Sequence, residues 1–389
     1  MNKAYDVVVI GGGVIGLSIT YWLARQGLTV ACLERRTIAG GTSSRCDGNV
    51  VLHDTHPGFE SRFAKFSIDL YPELSRELDV DFHWTQKGSV LLLENEGEVE
   101  LAREHAAKMT AEGLPYRLMD RQEMIDDEPR VARDIGGGLE IGCDGSLDPI
   151  AFCFALAHQA RKLGARLLTG VTVTSITRDV DGRVIGLKTD REEFLASKVV
   201  NAAGIWSPDI GRMVGLNIPV KPRQGHILVS EKTFPVARRK ISEFGYMTTR
   251  QESDLSHRRV SQEMLDYGVA FVFEPAPHGN FLLGSSRVFT QSLKAEMAVI
   301  KAIAQRAIRF FPVIKEAGAI RSYVGLRPYS PDHLPIIDEP VPGFIVATGH
   351  EGSGFCQAPG TAELVTALVL GRPSPLDLGP LKLERFGRI

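Results

Sequence analysis

The chain of 389 residues is too long for one simple hydrophobic core, so we expect two domains or one elaborated domain. Its 45 basic and 47 acidic residues give a net charge of −2, which offers no electrostatic attraction to nucleic acid or to an anionic membrane. A hydrophobic share of 43% and a charged share of 24% exclude a disordered chain and a membrane protein.

Five cysteines are scattered along the sequence without a C-x-x-C pair or a metal-ligand spacing. We interpret them as reduced thiols, and we predict no metal site and no iron–sulfur cluster in this chain. The first strand-like segment begins by Tyr5, which leaves no room for a signal peptide. No apolar run reaches the roughly 18 residues of a membrane span. These features predict a cytoplasmic protein without a transmembrane segment.

A nucleotide-binding pattern opens the chain. Residues 7–10 form a short β-branched run typical of a buried parallel strand. Of the three glycines that follow, Gly11 permits a tight turn, Gly13 lets the backbone approach a pyrophosphate, and Gly16 lets helix and strand pack closely. A second strand ends on Glu34, where a carboxylate accepts the hydroxyls of an adenosine ribose. A tight turn without ligand is the alternative, but the complete strand–helix–strand context favours dinucleotide binding.

Three later features favour FAD over NAD. The stretch RRTIAGGTSSRCDGNV (35–50) is a loop rich in Gly, Ser and Thr, suited to close backbone contact. Residues 167–200 alternate apolar positions around a turn at Asp181-Gly182 and predict a β-meander inserted in the sheet. The meander leads into NAAG (201–204), whose small side chains let a cofactor lie against the backbone. For this last feature a tight strand-to-helix connection is the alternative.

The remaining elements alternate between strands and amphipathic helices. Strands are predicted over residues 87–95, 226–231, 267–275, 281–286 and 344–347, and helices over 101–109, 293–312 and 358–370. Between the last strand and the last helix lies GHEGSGF (349–355), a glycine-rich helix entry. The stretch RQESDLSHRRVSQ (250–262) has no apolar period, and we interpret it as an exposed loop or a surface for another subunit.

The order of these motifs resembles the D-amino-acid-oxidase-like FAD family, which includes glycine oxidase, sarcosine oxidase and D-amino acid dehydrogenase. The resemblance rests on the fingerprint ending at Glu34 and on GGTSSRCDGNV, VVNAAGIWSPDI, GLRPYSPDHLPIID and GFIVATGHEGSGFCQAPGTAELV, and it spans essentially the whole chain. Within the family the chain is most similar to catalytic B or β subunits of multi-component members. These are hydrogen cyanide synthase, the opine (octopine, nopaline) oxidases and D-hydroxyproline dehydrogenase.

The resemblance implies a mixed α/β fold with two domains. A Rossmann-like FAD-binding domain of the glutathione-reductase type would comprise residues 1–85, 143–222 and 315–389. An α+β substrate-binding domain, built on an antiparallel sheet, would comprise residues 86–142 and 223–314. The implied activity is oxidation of the C–N bond of an amino acid, imino acid or opine by hydride transfer to flavin N5, which gives an imine that hydrolyses.

The resemblance and the glycine pattern together name the residues of the site. His350, Gly352 and Asn49 are expected beside the reacting part of the ring. The expected FAD-binding residues are Gly11, Gly13, Val14, Ile15, Gly16, Glu34, Arg35, Arg36, Gly41, Thr42, Ser43, Ser44, Arg45, Cys46, Gly48, Asn49, Val173, Ala202, Ala203, Gly204, Trp206, Arg327, Gly349, His350, Gly352, Ser353, Gly354 and Phe355. The amides of GHEGSGF would stabilise the negative charge that grows at N1 and C2=O of a reduced flavin.

One departure from the family concerns the substrate. Gly352 stands where glycine oxidase has an arginine for the substrate carboxylate. Either another arginine of the substrate domain takes that role, with Arg223, Arg250 and Arg287 as candidates, or a bulkier substrate such as an opine is held differently.

Two further departures concern the flavin and its electron acceptor. No cysteine lies in GLRPYSPD, which predicts non-covalent FAD. Leu282 stands near the position of the oxygen-activating lysine of sarcosine oxidase, which favours a dehydrogenase over a fast oxidase.

Several polar side chains have two readings. His350 either tunes amine protonation or hydrogen-bonds the substrate, or it makes a structural hydrogen bond. His53 and His56 are second candidates for the same roles. Arg327 either orders the loop around the ring or is a structural arginine paired with Asp332 or Asp338. Cys356 is interpreted as a packing residue.

The resemblance also implies partners. We expect a catalytic β subunit of a hetero-oligomer with an α-type and a small iron–sulfur subunit, and resemblance to heteromeric sarcosine oxidase allows an FMN at a subunit interface. The alternatives are a self-sufficient homo-oligomeric glycine or D-amino acid oxidase that makes hydrogen peroxide, and a flavin-binding partner without turnover.

Overall fold

The computed structural model describes residues 4–250 and 255–387, and most of this chain lies in short strands and helices. The strands are β1 (Ala4–Ile10), β2 (Val30–Glu34), β3 (Asn49–Val50), β4 (Ser89–Leu93), β5 (Tyr116–Met119), β6 (Gly137–Ile141), β7 (Gly145–Ser146), β8 (Arg166–Thr169), β9 (Val173–Arg178), β10 (Val184–Thr189), β11 (Glu193–Asn201), β12 (Lys221–Ser230), β13 (Lys240–Glu243), β14 (Val272–Pro275), β15 (Phe281–Gly284), β16 (Val288–Phe289), β17 (Ala319–Tyr329), β18 (Ile336–Val341) and β19 (Phe344–Thr348). The helices are α1 (Val14–Arg25), α2 (Phe59–Ile68), α3 (Tyr71–Glu77), α4 (Glu96–Ala111), α5 (Arg121–Asp127), α6 (Pro149–Lys162), α7 (Ser207–Arg212), α8 (Phe244–Arg250), α9 (Gln262–Asp266), α10 (Met297–Phe310) and α11 (Gly354–Leu370).

The first sheet has the strand order β18-β19-β11-β1-β2-β8. Its central pairs, from β19 through β8, are all parallel. Parallel pairing needs crossover connections, and helix α1 supplies the one between β1 and β2. The hairpin β9–β10 extends antiparallel from β11, with the predicted turn at Asp181-Gly182. The predicted meander began at residue 167, and this start was wrong. Strand β8 (Arg166–Thr169) does not belong to the meander, because it pairs parallel with β2 in the main sheet.

The second sheet has the order β16-β12-β15-β14-β13-β4-β6-β5, with β17 also paired to β12. Its pairs are antiparallel except for β13 with β4. Strands β12 and β17 run together from Lys221 opposite Tyr329 to Ser230 opposite Ala319. The domain bounds remain a prediction, and we propose that residues 319–329 be counted with this second sheet.

Several hydrophobic clusters support the two sheets. Helices α1, α2, α6 and α11 bury Leu17, Phe63, Phe152 and Leu364 against one face of the first sheet. Helix α10 covers the second sheet, where the ring of Phe310 stacks on that of Phe271 with centroids 5.2 Å apart. Among the described residues, no helix is both long and apolar enough to cross a membrane.

The predicted bounds of the last helix were wrong. Helix α11 begins at Gly354, four residues before the predicted start, although Pro359 lies inside it. A proline has no N–H, so the carbonyl four residues earlier, that of Phe355, loses its helical donor. The buried hydroxyl of Tyr71 donates to that carbonyl at 2.5 Å. This bond lets the helix continue through the proline.

The stretch 250–262 is not simply an exposed loop. Residues 251–254 lie outside the described residues. Arg250 ends helix α8 and is 1% exposed, and Arg258 is 6% exposed with its guanidinium 3.0 Å from the Glu243 carboxylate. Two buried arginines therefore anchor this stretch to the interior.

Candidate active site

The turn between β1 and α1 is shaped by its glycines. Gly11 has φ +114°, in the region that favours glycine, and its N–H donates to the Leu33 carbonyl at 2.8 Å. A Cβ on Gly16 would lie 1.9 Å from the Gly11 carbonyl oxygen, so only glycine fits there. The first free amide of α1, that of Val14, donates to the Ser43 hydroxyl at 3.0 Å. A residue of the next loop therefore caps the helix.

The carboxylate of Glu34 lies at the end of β2 beside this turn. One oxygen accepts from the Gly12 N–H at 2.9 Å and the other from the Arg36 N–H at 2.8 Å. Each oxygen keeps a lone pair free to accept a hydroxyl. Nearby, the guanidinium of Arg35 lies 3.9 Å from the centre of the Trp206 ring and builds one wall of the cavity described below.

The loop after β2 reaches the second sheet. The Thr42 hydroxyl donates to the Leu326 carbonyl at 2.6 Å, and the Arg45 guanidinium donates to the Val324 carbonyl at 3.4 Å. A Cβ on Gly325 would lie 2.3 Å from the Arg45 carbonyl oxygen. The loop and strand β17 are therefore in direct backbone contact.

The end of the same loop meets a buried carboxylate. The Gly48 N–H lies 3.1 and 2.9 Å from the two oxygens of Glu274. Burial, with the nearby charge of Asp47, raises the pKa of Glu274 to about 8. Asn49 pairs with Ser146 in the ladder of β3 with β7, and its side-chain oxygen is buried without a hydrogen bond among the described residues.

The glycine-rich entry to α11 lies across the sheet from Glu34. Gly349 has φ +85°, which turns the chain, and residues Glu351–Ser353 form a short 3₁₀ turn before the helix. His350 is buried and its Nε2 lies 2.9 Å from the Thr361 hydroxyl. Burial lowers the pKa of His350 to about 3, so the ring is neutral at physiological pH. The contact with Thr361 supports the structural reading of His350, and a role in amine protonation or in hydrogen-bonding the substrate stays a prediction.

Glu351 lies next to His350 in an ion-pair network. Its carboxylate oxygens lie 2.9 Å from Nη1 of Arg223 and 3.0 Å from Nδ1 of His333. Burial alone would raise the pKa of Glu351, but the His333 hydrogen bond and the charges of Arg250 and Arg223 bring it well below its ordinary value. The carboxylate is therefore ionised and is balanced within the protein.

Arg327 does not pair with Asp332 or Asp338. Its two terminal nitrogens donate to the Ser286 carbonyl at 2.8 Å and to the Ser285 hydroxyl at 2.6 Å. Asp332 instead pairs with Arg385 at 2.6 Å. The structural alternative for Arg327 is thus wrong in its partners, and the residue ties β17 to the segment that follows β15 within the second sheet.

His53 and His56 are the two other histidine candidates. His53 is fully buried, with Nδ1 3.3 Å from the Ser89 hydroxyl and 3.5 Å from the Asp144 carboxylate. Burial lowers the pKa of His53 and that of His56. Cys356 is buried in the core, as its packing interpretation requires.

A cavity of about 300 Å³ connects these features. It runs from Glu34 and the β1–α1 turn to the start of α11, with the second sheet over one end. Most of the predicted cofactor residues line it. The exceptions are Gly16, Ser44, Gly48, Asn49, Gly349 and Ser353, which shape its walls from behind.

The sequence did not point to several lining residues. The second sheet contributes Gly225, Ile227, Gly325 and Pro328, and helix α8 contributes Tyr246. The first sheet and its connections contribute Ile10, Leu33, Gly40, Asp47, Val171, Thr172, Ile205, Asp209, Ile210, Met213, Ala347, Thr348 and Glu351. Several of them, such as Gly40, Asp47, Pro328, Thr348 and Glu351, carried a signal, because each stands inside a motif that was otherwise assigned. The others are recognised only once the two sheets are brought together.

The residues present fit an extended dinucleotide such as FAD. A Cβ at Gly16 would lie 1.9 Å from a backbone oxygen, so this glycine keeps the first turn tight enough for a pyrophosphate. At the other end of the cavity, the amides at the start of α11 have no acceptor within the helix. Such amides stabilise negative charge at the far end of the cavity.

Comparison with known proteins places the chain. The family model described as FAD dependent oxidoreductase matches residues 6–368. Hydrogen cyanide synthase subunit HcnC of Pseudomonas aeruginosa is 30% identical over an alignment covering 99% of this chain and 97% of that protein. The crystal structure of glycine oxidase from Geobacillus kaustophilus matches with a TM-score of 0.86 and 26% identity, covering 99% of both chains. L-proline dehydrogenase from P.horikoshii shares the fold with a TM-score of 0.88 at 23% identity, covering 99% of this chain and 98% of that one.

These matches confirm the predicted fold class and the predicted cofactor. The family model spans nearly the whole chain, and the cavity carries the fingerprint turn at one end and a helix N-terminus at the other. The chain belongs to the FAD-dependent oxidoreductase family that also contains glycine oxidase and the HcnC subunit.

Proposed function

We propose that this protein oxidises the C–N bond of an amino acid, imino acid or opine to an imine, which water then hydrolyses. The observation that carries the proposal is the single cavity that joins the β1–α1 turn to the start of α11 beneath the second sheet. The similarity to glycine oxidase and to HcnC supports the substrate class.

Bound FAD supplies the acceptor for the two electrons and the hydrogen that leave the substrate carbon. The residues of the chain bind and orient the cofactor and the substrate. The β1–α1 turn and Glu34 hold the nucleotide end, and we infer that the uncommitted amides at the start of α11 face the pyrimidine edge of the ring. These amides favour the reduced, more negative ring, since a helix N-terminus stabilises adjacent negative charge.

The second sheet closes the reacting end from water. Gly225 and Ile227 of β12, Gly325 of β17 and Tyr246 of α8 line the cavity there. Two of these four positions are glycines, because a Cβ on Gly225 would lie 2.4 Å from the Arg327 guanidinium and one on Gly325 would lie 2.3 Å from the Arg45 carbonyl oxygen. No protein base is needed for the step we propose, because the amine reacts in its neutral form, and His350 is held neutral by burial.

We further propose that this chain is the catalytic β subunit of a hetero-oligomeric dehydrogenase that binds FAD non-covalently. Similarity to HcnC, a subunit by its name, supports this arrangement. The cysteines described in the structure are free, buried or half-buried, and none of them lies in GLRPYSPD. A homo-oligomeric oxidase remains the second candidate, favoured by the similarity to glycine oxidase over 99% of this chain.

The test uses the purified, FAD-loaded chain mixed without oxygen with glycine, D- and L-proline, D-alanine and octopine. We expect at least one of them to bleach the visible flavin absorbance, and we expect little hydrogen peroxide when the same mixture is exposed to air. Peroxide at a rate matching the bleaching would support the homo-oligomeric oxidase instead. A flavin that no amine bleaches would overturn the proposed activity.

A further inference from the structure

The end of the cavity where α11 begins holds a negative charge of its own. Glu351 lines the cavity there, just before the helix starts at Gly354, and its ionised side chain is 2% exposed. The amides at the start of a helix stabilise nearby negative charge, whereas a buried carboxylate repels it. Glu351 therefore opposes the electrostatic effect that we propose for the start of α11.

The backbone of Glu351 is held in an uncommon conformation. Among the described residues, only four that are not glycine have a positive φ, and Glu351 (+45°) and His333 (+62°) are two of them. This conformation costs energy unless the surroundings hold it, and residues that adopt it cluster at functional sites. The two residues contact each other, with Nδ1 of His333 3.0 Å from the Glu351 carboxylate. Both unfavourable conformations thus meet at the contact between the turn after β17 and the entry to α11.

Three arginines act on the Glu351 carboxylate. Arg223 of β12 lies closest, with Nη1 2.9 Å from one oxygen. Nε of Arg250 lies 4.0 Å from the other oxygen, but Arg250 also pairs with two further carboxylates. The charge of Arg287 acts on Glu351 as well, and its Nε and Nη1 are buried without a hydrogen-bond partner among the described residues. Arg223 is therefore the cation that most directly balances Glu351.

Reduction of the flavin adds negative charge next to this group. The ring gains two electrons and one proton, so the reduced ring carries one more negative charge than the oxidised ring. In a buried site, a fixed negative charge nearby destabilises the reduced ring more than the oxidised ring, and a fixed positive charge does the reverse. The midpoint potential of bound FAD therefore reports the charge at this end of the cavity.

We propose that Glu351 lowers the midpoint potential of the bound flavin and that Arg223 limits this effect by pairing with the carboxylate. A lower potential makes the reduced flavin a stronger electron donor, so Glu351 favours the transfer of the two electrons to the next acceptor. The inference deepens the proposed function, and it rests on the arrangement proposed there, in which the pyrimidine edge of the ring lies at the start of α11.

The test measures the midpoint potential of bound FAD in holoenzymes of the wild type, Glu351→Gln, Arg223→Gln and the double variant. Each protein is reduced stepwise with dithionite, without oxygen or amine, beside a reference dye of known potential, and the visible flavin spectrum is recorded. Glu94→Gln is the matched control, because Glu94 is as buried as Glu351 and pairs with Arg306 at 2.6 Å but does not line the cavity. The flavin-to-protein ratio and the unfolding midpoint report folding.

The two single variants should shift the potential in opposite directions. Glu351→Gln should raise the equilibrium constant for reduction at least tenfold, which is a rise of about 30 mV for a two-electron couple. Arg223→Gln should lower the potential, because it leaves the carboxylate less balanced. The double variant should return toward the wild-type value, and Glu94→Gln should keep it. A general loosening of the fold would not produce shifts of opposite sign.

An unchanged or lower potential in a flavin-loaded Glu351→Gln would overturn the inference. A shift in Glu94→Gln as large as that in Glu351→Gln would also overturn it, because the effect would then not depend on the cavity. If Glu351→Gln does not hold flavin, Arg223→Gln decides: an unchanged or higher potential in this variant would contradict the proposed balance of charges.

The experiment uses no amine, which separates this inference from the proposed activity. Opposite shifts in a protein that no amine reduces would support the inference and overturn the activity. Bleaching of the wild type by an amine, with the same potential in the wild type and in both single variants, would do the reverse.

Discussion

The two ends of the cavity are built in different ways. The nucleotide end is built around residues 10–36, close together in sequence, with walls added by Val173 and Trp206, and its contacts include backbone hydrogen bonds and glycine clearances such as that of Gly16. The reacting end gathers side chains from β12, α8, β17 and the entry to α11, with buried charges that balance one another. Local chain geometry thus forms the nucleotide end, whereas long-range ion pairs shape the end that we propose binds the substrate.

At the nucleotide end, Gly16→Val is the substitution with the largest expected effect on FAD binding. The new side chain would start 1.9 Å from the Gly11 carbonyl oxygen and 3.4 Å from Cγ1 of Val9. We expect loss of nearly all bound FAD, or failure to fold, measured as the flavin-to-protein ratio and the circular dichroism of the purified protein. Gly142→Ala is the control, because its Cβ would meet only Pro115 at 3.7 Å. Normal flavin content in Gly16→Val would contradict the tight turn.

At the reacting end, we expect the largest loss of stability from the removal of a buried charge. Glu351→Gln removes the buried negative charge that faces Arg223 and His333, and we expect a loss of about 3 kcal/mol in the free energy of unfolding. The folded-state pKa of Glu351 is depressed, so its contribution is present above about pH 4.5 and disappears as the pH falls. Urea unfolding at pH 7 and pH 4 should show a smaller difference between the two proteins at pH 4. An equal difference at both values would refute the ion pair's role.

Glu274 lies where the loop after β2 meets the second sheet, and its pKa is shifted in the opposite direction from that of Glu351. Its folded-state pKa is raised to about 8, so it holds a proton in the folded state that the unfolded chain loses. Stability from this group is therefore fully present below about pH 4.5 and is lost as the pH rises toward 8. Glu274→Gln should remove at least about 1 kcal/mol of the pH dependence of unfolding between pH 5 and 8. A variant whose pH profile parallels that of the wild type would show that Glu274 is ionised when folded.

The smallest effect is expected at the cap of α1. Ser43→Ala removes the acceptor of the Val14 amide and should cost about 1 kcal/mol in the free energy of unfolding. Ser44→Ala is the control, because the Ser44 hydroxyl makes only a 3.5 Å contact with the Gly41 carbonyl. Equal unfolding midpoints for the two variants would mean that Ser43 does not cap the helix.

Sequence reasoning reached the nucleotide end because its signals are local. Gly11, Gly13, Gly16 and Glu34 stand at fixed spacings around two strands and one helix, and all line or shape the cavity. The meander turn at Asp181-Gly182 was equally readable. Strand β8 was misplaced because a short alternating run looks the same in a hairpin and in a parallel sheet.

The reacting end could not be read in the same way. Glu351 meets Arg223 from 128 residues away, and nothing in either neighbourhood marks the pair. Tyr246 enters the cavity from a helix whose sequence has no motif. Among Arg223, Arg250 and Arg287, composition alone could not tell a neutralised guanidinium from an unpaired one, because the difference lies in which carboxylates fold against each.

The proline within α11 has a consequence for how this chain can vary. The Tyr71 hydroxyl donates to the Phe355 carbonyl, which has no donor within the helix because Pro359 lacks an N–H. Tyr71 and Phe355 are 284 positions apart in the sequence. The two positions should therefore tolerate change only in concert: Tyr71→Phe should be harmful beside Pro359 and nearly neutral beside Pro359→Ala, whose N–H restores the missing donor. A distant aromatic residue thus completes the hydrogen bonding of the first turn of α11.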